Sequence, residues 1–460
     1  MIERLVLLGA TGDLAGRFLF PALAALSASG HLPEGFEITG VARQDLSEEA
    51  FRRRIDERLT DHAGDVSPAA RAALLRTVTY RAADVSRAAD VTAVLRGRTS
   101  PVAVYLALPP RLFPAVIEAV GRAGLPDESR VVLEKPFGDD LASAISLNRM
   151  LAEAMGAAGE AAIFRVDHVL GMATLQNLVA LRRNRVLAAV WDRAHIEQVE
   201  ILWEETLALE GRAGYYDGTG ALEDVIQNHL LQILCLVAME LPATGDVGEL
   251  RARKLDVLRS ARCVASCRAR YGAGRLAADD GAAGTPVPAY VDEEGVDPAR
   301  GTETFAQLTL ELDSERWRGT PFLLRAGKAL KQRRKGVVVR FRPSEELWMG
   351  IDGPSDVALR LTGGSFGARA PVDLRGEPPA ADLPAYARVL VDVLTGGSTL
   401  SVGAEGAEAA WRLVTPVVAA WRENRVPLEE YPAGSDGPPS CHGGARVSGS
   451  ARGVNRFDAV

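Results

Sequence analysis

The stretch RLVLLGATGDLAGR, Arg4 to Arg17, carries the clearest architectural signal in the chain. Five residues, mostly apolar, end at Gly9, and a helical pattern, RFLFPALAALSASG, runs on to a stop at Gly30. An uninterrupted apolar run closed by glycine reads as a buried parallel strand, and the helical pattern after it completes a strand–turn–helix unit. Gly9 and Gly12 fill the second and third places of a dinucleotide-binding G-x-G-x-x-G, with Leu7 in the first. A turn of this kind offers free N–H groups and partial positive charge to a pyrophosphate. A tight strand–helix connection explains the same glycines, and the motif gains weight from its place after the first strand.

Further strand patterns occur at FEITGVAR (36–43), VAVYLALPP (102–110) and RVVLEKPFG (130–138), with helical patterns between them. Strands alternating with helices predict an α/β, Rossmann-like parallel sheet covered on both faces. The second half differs. QVEILWEE (198–205), TFAQLTLELD (304–313), FLLRAG (322–327), GVVVRFRP (336–343) and DVALRLTGG (356–364) alternate apolar and polar residues, and helical stretches cover 172–190, 219–241 and 403–424. This predicts an α+β domain with a large, mainly antiparallel sheet. The expected division is 1–170, 171–436 and a flexible tail over 437–460, with 272–301 as a long surface connection.

The chain has 460 residues, 25% of them charged, and a net charge of −7. That balance argues against nucleic-acid and anionic-membrane partners, which reward a basic surface. The N-terminus lacks a signal-peptide layout and no apolar run reaches membrane-spanning length, so a cytoplasmic protein is expected. Cys235, Cys263, Cys267 and Cys441 lack zinc spacing and are expected to be reduced thiols.

Candidate chemistry falls on a few residues. Arg43, after the second strand, suits the 2′-phosphate of NADP, where an acid would suit NAD; a solvated surface arginine is the other reading. Leu222, Ile226, His229 and Ile233 share one helical face, which buries His229. A buried imidazole needs a partner. It is a satisfied core histidine unless a carboxylate, Asp167 or Asp224, makes it a positioned base. Glu134 and Lys135 stand at a strand end, where doubly wound sheets bind ligands. Lys328 and Arg333 lie in a basic loop that also reads as a solvated turn.

Taken in order, GATGDLA (9–15), EKPFG (134–138), RVDHVLGMA (165–173), AGYYDGTGALEDVIQNHLLQ (213–232), PVPAYVDEEGV with TETFAQL (286–308) and PFLLRAGKAL (321–330) resemble the motifs of the glucose-6-phosphate dehydrogenase family. The resemblance implies oxidation of C1 of a glucose-type sugar to a lactone, with hydride passed to NADP or NAD. It implies His229 as the base, Asp167 holding it, and Lys135, before a cis-proline, touching both sugar and nicotinamide. His168, Glu205, Asp224, Lys328 and Arg333 would bind the sugar, with His168 and Arg333 toward its phosphate. Gly9, Thr11, Gly12, Asp13, Leu14, Arg43 and Pro109 would frame the dinucleotide. No metal is implied, and a homodimer or homotetramer packed through the second domain's sheet is.

The match breaks at one place above others. The family's HYLGK reads His168–Val169–Leu170–Gly171–Met172, without the tyrosine and the lysine. A hydrogen bond to a charged group is worth ~1.5–3 kcal/mol, so the lost lysine alone weakens phosphate binding roughly ten- to a hundredfold. Glu223 replaces an arginine and Asp436 a tryptophan. Catalytic residues kept beside a depleted phosphate set point to retained chemistry on glucose 6-phosphate or a related, non-phosphorylated or modified sugar. The alternative is a catalytically degenerate paralogue that binds NADP.

Overall fold

A computed structural model describes residues 1–276, 284–352, 356–363, 370–378 and 381–442. Arg4–Leu8 forms β1, and the sheet continues with β2 (Glu37–Ala42), β3 (Val78–Ala82), β4 (Ala103–Leu106), β5 (Arg130–Glu134) and β6 (Ile163–Val166). They pair in the order β6-β5-β4-β1-β2-β3, all parallel, and Ser401–Val402 adds an antiparallel edge beside β6. The sheet order reverses between β1 and β4, which opens a crevice at the carboxyl ends of those strands.

Side-chain alternation in β1 builds both layers. Leu5 and Leu7 enter one core with Phe20, Phe51 and Leu74, and Val6 and Leu8 enter the other with Val91, Ile117 and Leu147. The chain also returns late to this first domain. Helix Ala385–Thr395 buries Tyr386, Val389, Leu390 and Val393 against the β1 side.

The second sheet has nine strands, in spatial order 370–376, 357–363, 346–350, 334–341, 196–204, 322–327, 305–312, 261–272 and 428–432. Six of its eight pairings are antiparallel; 322–327 with 196–204 and 428–432 with 261–272 are parallel. One face packs Ile201, Leu308, Leu324 and Val337 onto the helices of Leu231 and Trp411. The other carries cross-strand ion pairs, Glu200–Arg340, Glu204–Arg325 and Glu204–Arg334. No helix of the described residues is long and apolar enough to cross a membrane.

The helical stretch expected at 219–241 is present, π-wound over Leu222–Leu230 and α-helical over Leu231–Ala238. Three expectations need correction. The connection at 272–301 contains a hairpin, Gly274–Leu276 with Thr285–Val287, and buries Tyr290; residues 277–283 lie outside the described residues. Of the expected tail, Pro439–His442 forms a 3₁₀ turn and Cys441 is buried, while 443–460 lie outside the described residues. Cys267 and Cys441 are paired as a disulfide, Cα atoms 5.9 Å apart, because that turn folds back against strand 261–272. Cys235 and Cys263 are free thiols.

Gly9 has φ +87°, and a Cβ there would lie 2.1 Å from the Ala107 carbonyl oxygen. The chain's own backbone therefore demands this glycine, whatever ligand approaches it. Gly9→Ala should destabilise the protein by at least about 1–2 kcal/mol from the left-handed backbone alone. Urea denaturation monitored by circular dichroism checks this, and an unchanged midpoint would refute it.

Candidate active site

β6 carries the chain into the interior and ends at Asp167, which caps a 3₁₀ turn, His168–Gly171. Asp167 is wholly buried, and its Oδ1 lies 2.6 Å from Nδ1 of His229. His229, 4% exposed, projects from the π-wound segment. A carboxylate at Nδ1 fixes the proton on that nitrogen and leaves the lone pair on Nε2, which bonds no described residue. Burial alone would raise the Asp167 carboxyl, but its pairing with His229 outweighs that and holds the acid at about 2. The Trp203 ring stacks on His229 at 5.6 Å, and His168 meets it edge-on at 4.8 Å. Burial, and then the neighbouring His229, push His168 down to about 3, so its ring is neutral.

The π-wound segment carries Asp224 as well as His229. Asp224 Oδ1 accepts from Lys135 Nζ at 2.8 Å and from the Tyr215 hydroxyl at 3.3 Å. Lys135 comes directly after β5, its peptide bond to Pro136 is cis, and it also donates to the Asp224 carbonyl at 2.7 Å. Burial opposes both charges, yet the pairing holds Asp224 down at about 2 and raises Lys135.

A second set of charges closes the far side. Lys328 Nζ donates to Glu205 Oε2 at 2.7 Å, and Lys335 Nζ lies 3.0 Å from Glu205 Oε1. Lys335 sits 4.4 Å above the Trp203 ring, which links this set to His229. Arg333 is half-exposed and bonds Asp352 at 2.9 Å. Thus His229, Asp167, His168, Lys135, Asp224, Glu205 and Lys328 converge, while Arg333 points into a carboxylate at the rim.

The expected dinucleotide set lies along the crevice. Thr11, Gly12, Asp13 and Leu14 come after β1, Arg43 is exposed just after β2, and Pro109 is exposed after β4. Helical conformation begins at Asp13, with no side-chain cap at Leu14, and the Gly16 N–H is taken by the Gly12 carbonyl at 3.1 Å, which leaves the N–H groups ahead of Gly16 for an anion. Gly12 is exposed, with only the Gly9 carbonyl oxygen within 4 Å of a Cβ built there. These features fit a dinucleotide phosphate. Arg54, which no sequence motif singles out, donates to the Thr11 carbonyl at 3.0 Å and braces the turn.

Sequence reasoning also missed Trp203, Tyr386, Lys335 and Asp352. Trp203 and Lys335 fall in strands whose alternation explains them without function. Tyr386 arrives from the late-returning helix to stack on His168 at 5.4 Å, and no local signal announces that. Asp167, His168 and His229 place ligand atoms within 4.8 Å of one another, but Asp167 Oδ1 is committed to His229.

The family described as "Glucose-6-phosphate dehydrogenase, NAD binding domain" matches residues 6–177, and its C-terminal-domain counterpart matches 179–362 and 368–449. A glucose-6-phosphate 1-dehydrogenase of Treponema pallidum is 36% identical over 95% of this chain and 92% of its own. Among solved structures, a glucose-6-phosphate dehydrogenase in complex with its substrate glucose-6-phosphate superposes with a TM-score of 0.85, at 29% identity over 95% of this chain and 96% of that one. The glucose-6-phosphate 1-dehydrogenase of Mycobacterium avium gives 0.83, at 32% identity over 95% of each chain.

Glu134 is buried beneath this site and accepts from the Tyr105 hydroxyl. Burial pushes its carboxyl up from 4.5 to about 7, against the Tyr105 hydrogen bond. A raised acid gives stability that is full below its unfolded value and lost as pH rises through the folded one. Glu134→Gln keeps a neutral acceptor. Relative to wild type it should therefore gain stability between pH 5 and 8, by no more than about 3 kcal/mol. Thermal melts across that range check it; parallel curves would contradict it.

Proposed function

The chain belongs to the glucose-6-phosphate dehydrogenase family, and on that premise we propose that it oxidises C1 of a glucose-type sugar to the lactone, with NADP or NAD as acceptor. The observation that carries the reading is the buried 2.6 Å bond from Asp167 to His229, flanked by the Lys135–Asp224 pair. His229 Nε2 takes the proton of the C1 hydroxyl. Asp167 holds the ring in the tautomer that allows this and stabilises the imidazolium that forms. Electron density pushed onto O1 makes the C1=O bond and expels the C1 hydrogen as hydride. The bound nicotinamide supplies the acceptor for that hydride.

Lys135, whose ammonium is oriented by Asp224, would contact both the sugar and the nicotinamide. Asp224 and Glu205 are charged acceptors for sugar hydroxyls, and Lys328, held by Glu205, is a donor. The N–H groups ahead of Gly16, at the uncapped start of the first helix, would receive the pyrophosphate, with Thr11, Gly12, Asp13 and Leu14 around it and Pro109 nearby. Arg43, exposed at the end of β2, supports NADP as the preferred cofactor.

The degenerate-paralogue alternative has no observation in its favour, since the acid–base cluster is whole. A homodimer or homotetramer packed through the large sheet is part of the reading. Its support is the ion-pair face of that sheet and the exposed Val264, Val372 and Leu374 on its strands.

His229→Asn should lower kcat by about 10²–10⁴-fold and leave NADP affinity within about twofold, because the dinucleotide crevice does not touch it. Nicotinamide absorbance and fluorescence titration give the two readouts. Turnover near the wild-type rate in this variant would remove the proposed base.

A further inference from the structure

We infer that Asp352 occupies the place of a substrate anion, so that the site takes a glucose-type sugar without a phosphate at C6. This rests on the C1-oxidation reading above and specifies its substrate.

Arg333 Nη2 and Lys335 Nζ converge on the same oxygen, Asp352 Oδ2, at 2.9 and 3.1 Å. Lys335 continues to Glu205, and Glu205 to Lys328. Charges therefore alternate along Lys328, Glu205, Lys335, Asp352 and Arg333, three cations against two carboxylates. Two cations meeting on one oxygen is the arrangement a phosphate oxygen would call for, and a carboxylate of the protein already fills it.

The position of this pair of contacts matters as much as their chemistry. The Thr174 hydroxyl donates to the Ile351 carbonyl at 2.9 Å, and Ile351 N–H donates to the Lys335 carbonyl at 2.8 Å. The residue before Asp352 is thus tied to the first turn of helix Ala173–Arg183, which follows Met172, where the family stretch has its lysine. Asp352 is also near enough for its charge to act on His168. The stretch 168–172 offers no charge in exchange. Val169 is fully buried in the core, Met172 packs against that core, and the His168 ring is neutral.

A phosphate dianion drawn to these cations would meet the Asp352 carboxylate already paired with both, at a Lys335 side chain 9% exposed and an Arg333 side chain 52% exposed. Carboxylate and dianion repel each other, most strongly at the buried Lys335 end. A C6 hydroxyl asks for no displacement and can donate to Asp352 as it stands. The cations that would bind the phosphate are thus present but already engaged.

Calorimetric titration of wild type, Asp352→Asn and Asp352→Glu with glucose 6-phosphate tests this directly. Millimolar or weaker affinity is expected for wild type and Asp352→Glu, with binding about tenfold tighter or more in Asp352→Asn. Micromolar affinity in wild type, or no tightening in a folded Asp352→Asn, overturns the inference. If that variant does not fold, wild-type affinity alone decides. Turnover of glucose and of glucose 6-phosphate, measured in parallel, tests the underlying reading separately. No oxidation of either sugar would sink C1 chemistry while the titration still judges Asp352.

Discussion

A hydrogen bond 2.6 Å long joins Asp167, at the end of the last parallel strand, to His229, in the helix leading into the second domain's core. Both groups are buried, and each is costly there without the other. The Asp167 carboxylate is kept ionised by the histidine, and the histidine is given a defined tautomer by the carboxylate. That mutual dependence sets the geometry of the reaction. A base whose Nε2 bonds no described residue is set with two buried ion pairs, Lys135–Asp224 and Lys328–Glu205.

The fold's task is to bring those side chains together from distant segments. The parallel sheet delivers Lys135 and Asp167 at the ends of neighbouring strands, β5 and β6. The π-wound segment carries both Asp224 and His229 into the site. The large sheet delivers Trp203, Glu205, Lys328 and Lys335 from adjoining strands. The late helix at 385–395 closes the back by stacking Tyr386 on His168. A π segment at a functional site is a recurrent device, and here it holds an acid and a base.

The legible parts of the sequence are those with local physical signatures. RLVLLGATGDLAGR announces its strand, turn and helix, and the apolar spacing around His229 announces its burial. Motif resemblance then supplies the acid–base cluster that patterning leaves open. Other features have no local signal. The strands 261–272 and 370–376 mix arginines with small residues, and 370–376 is exposed throughout, so alternation is not visible. The Cys267–Cys441 pairing spans 174 residues and exists only once the chain's end folds back. Spacing that buries His229 does not reveal whether the winding is α or π. Asp352 is unreadable for another reason: its role lies in the two cations it meets, one at the start of strand 334–341 and one just before it.

Asp167 is the group on which the chemistry stands, so the most direct test is the pH dependence of kcat/KM for sugar oxidation in wild type and Asp167→Asn. Removing the carboxylate charge while keeping the side chain's shape leaves the imidazolium that forms on His229 without its stabilising partner. A fall of about 10²-fold or more is expected across the profile. Superimposable profiles for the two proteins would contradict the role given to this carboxylate.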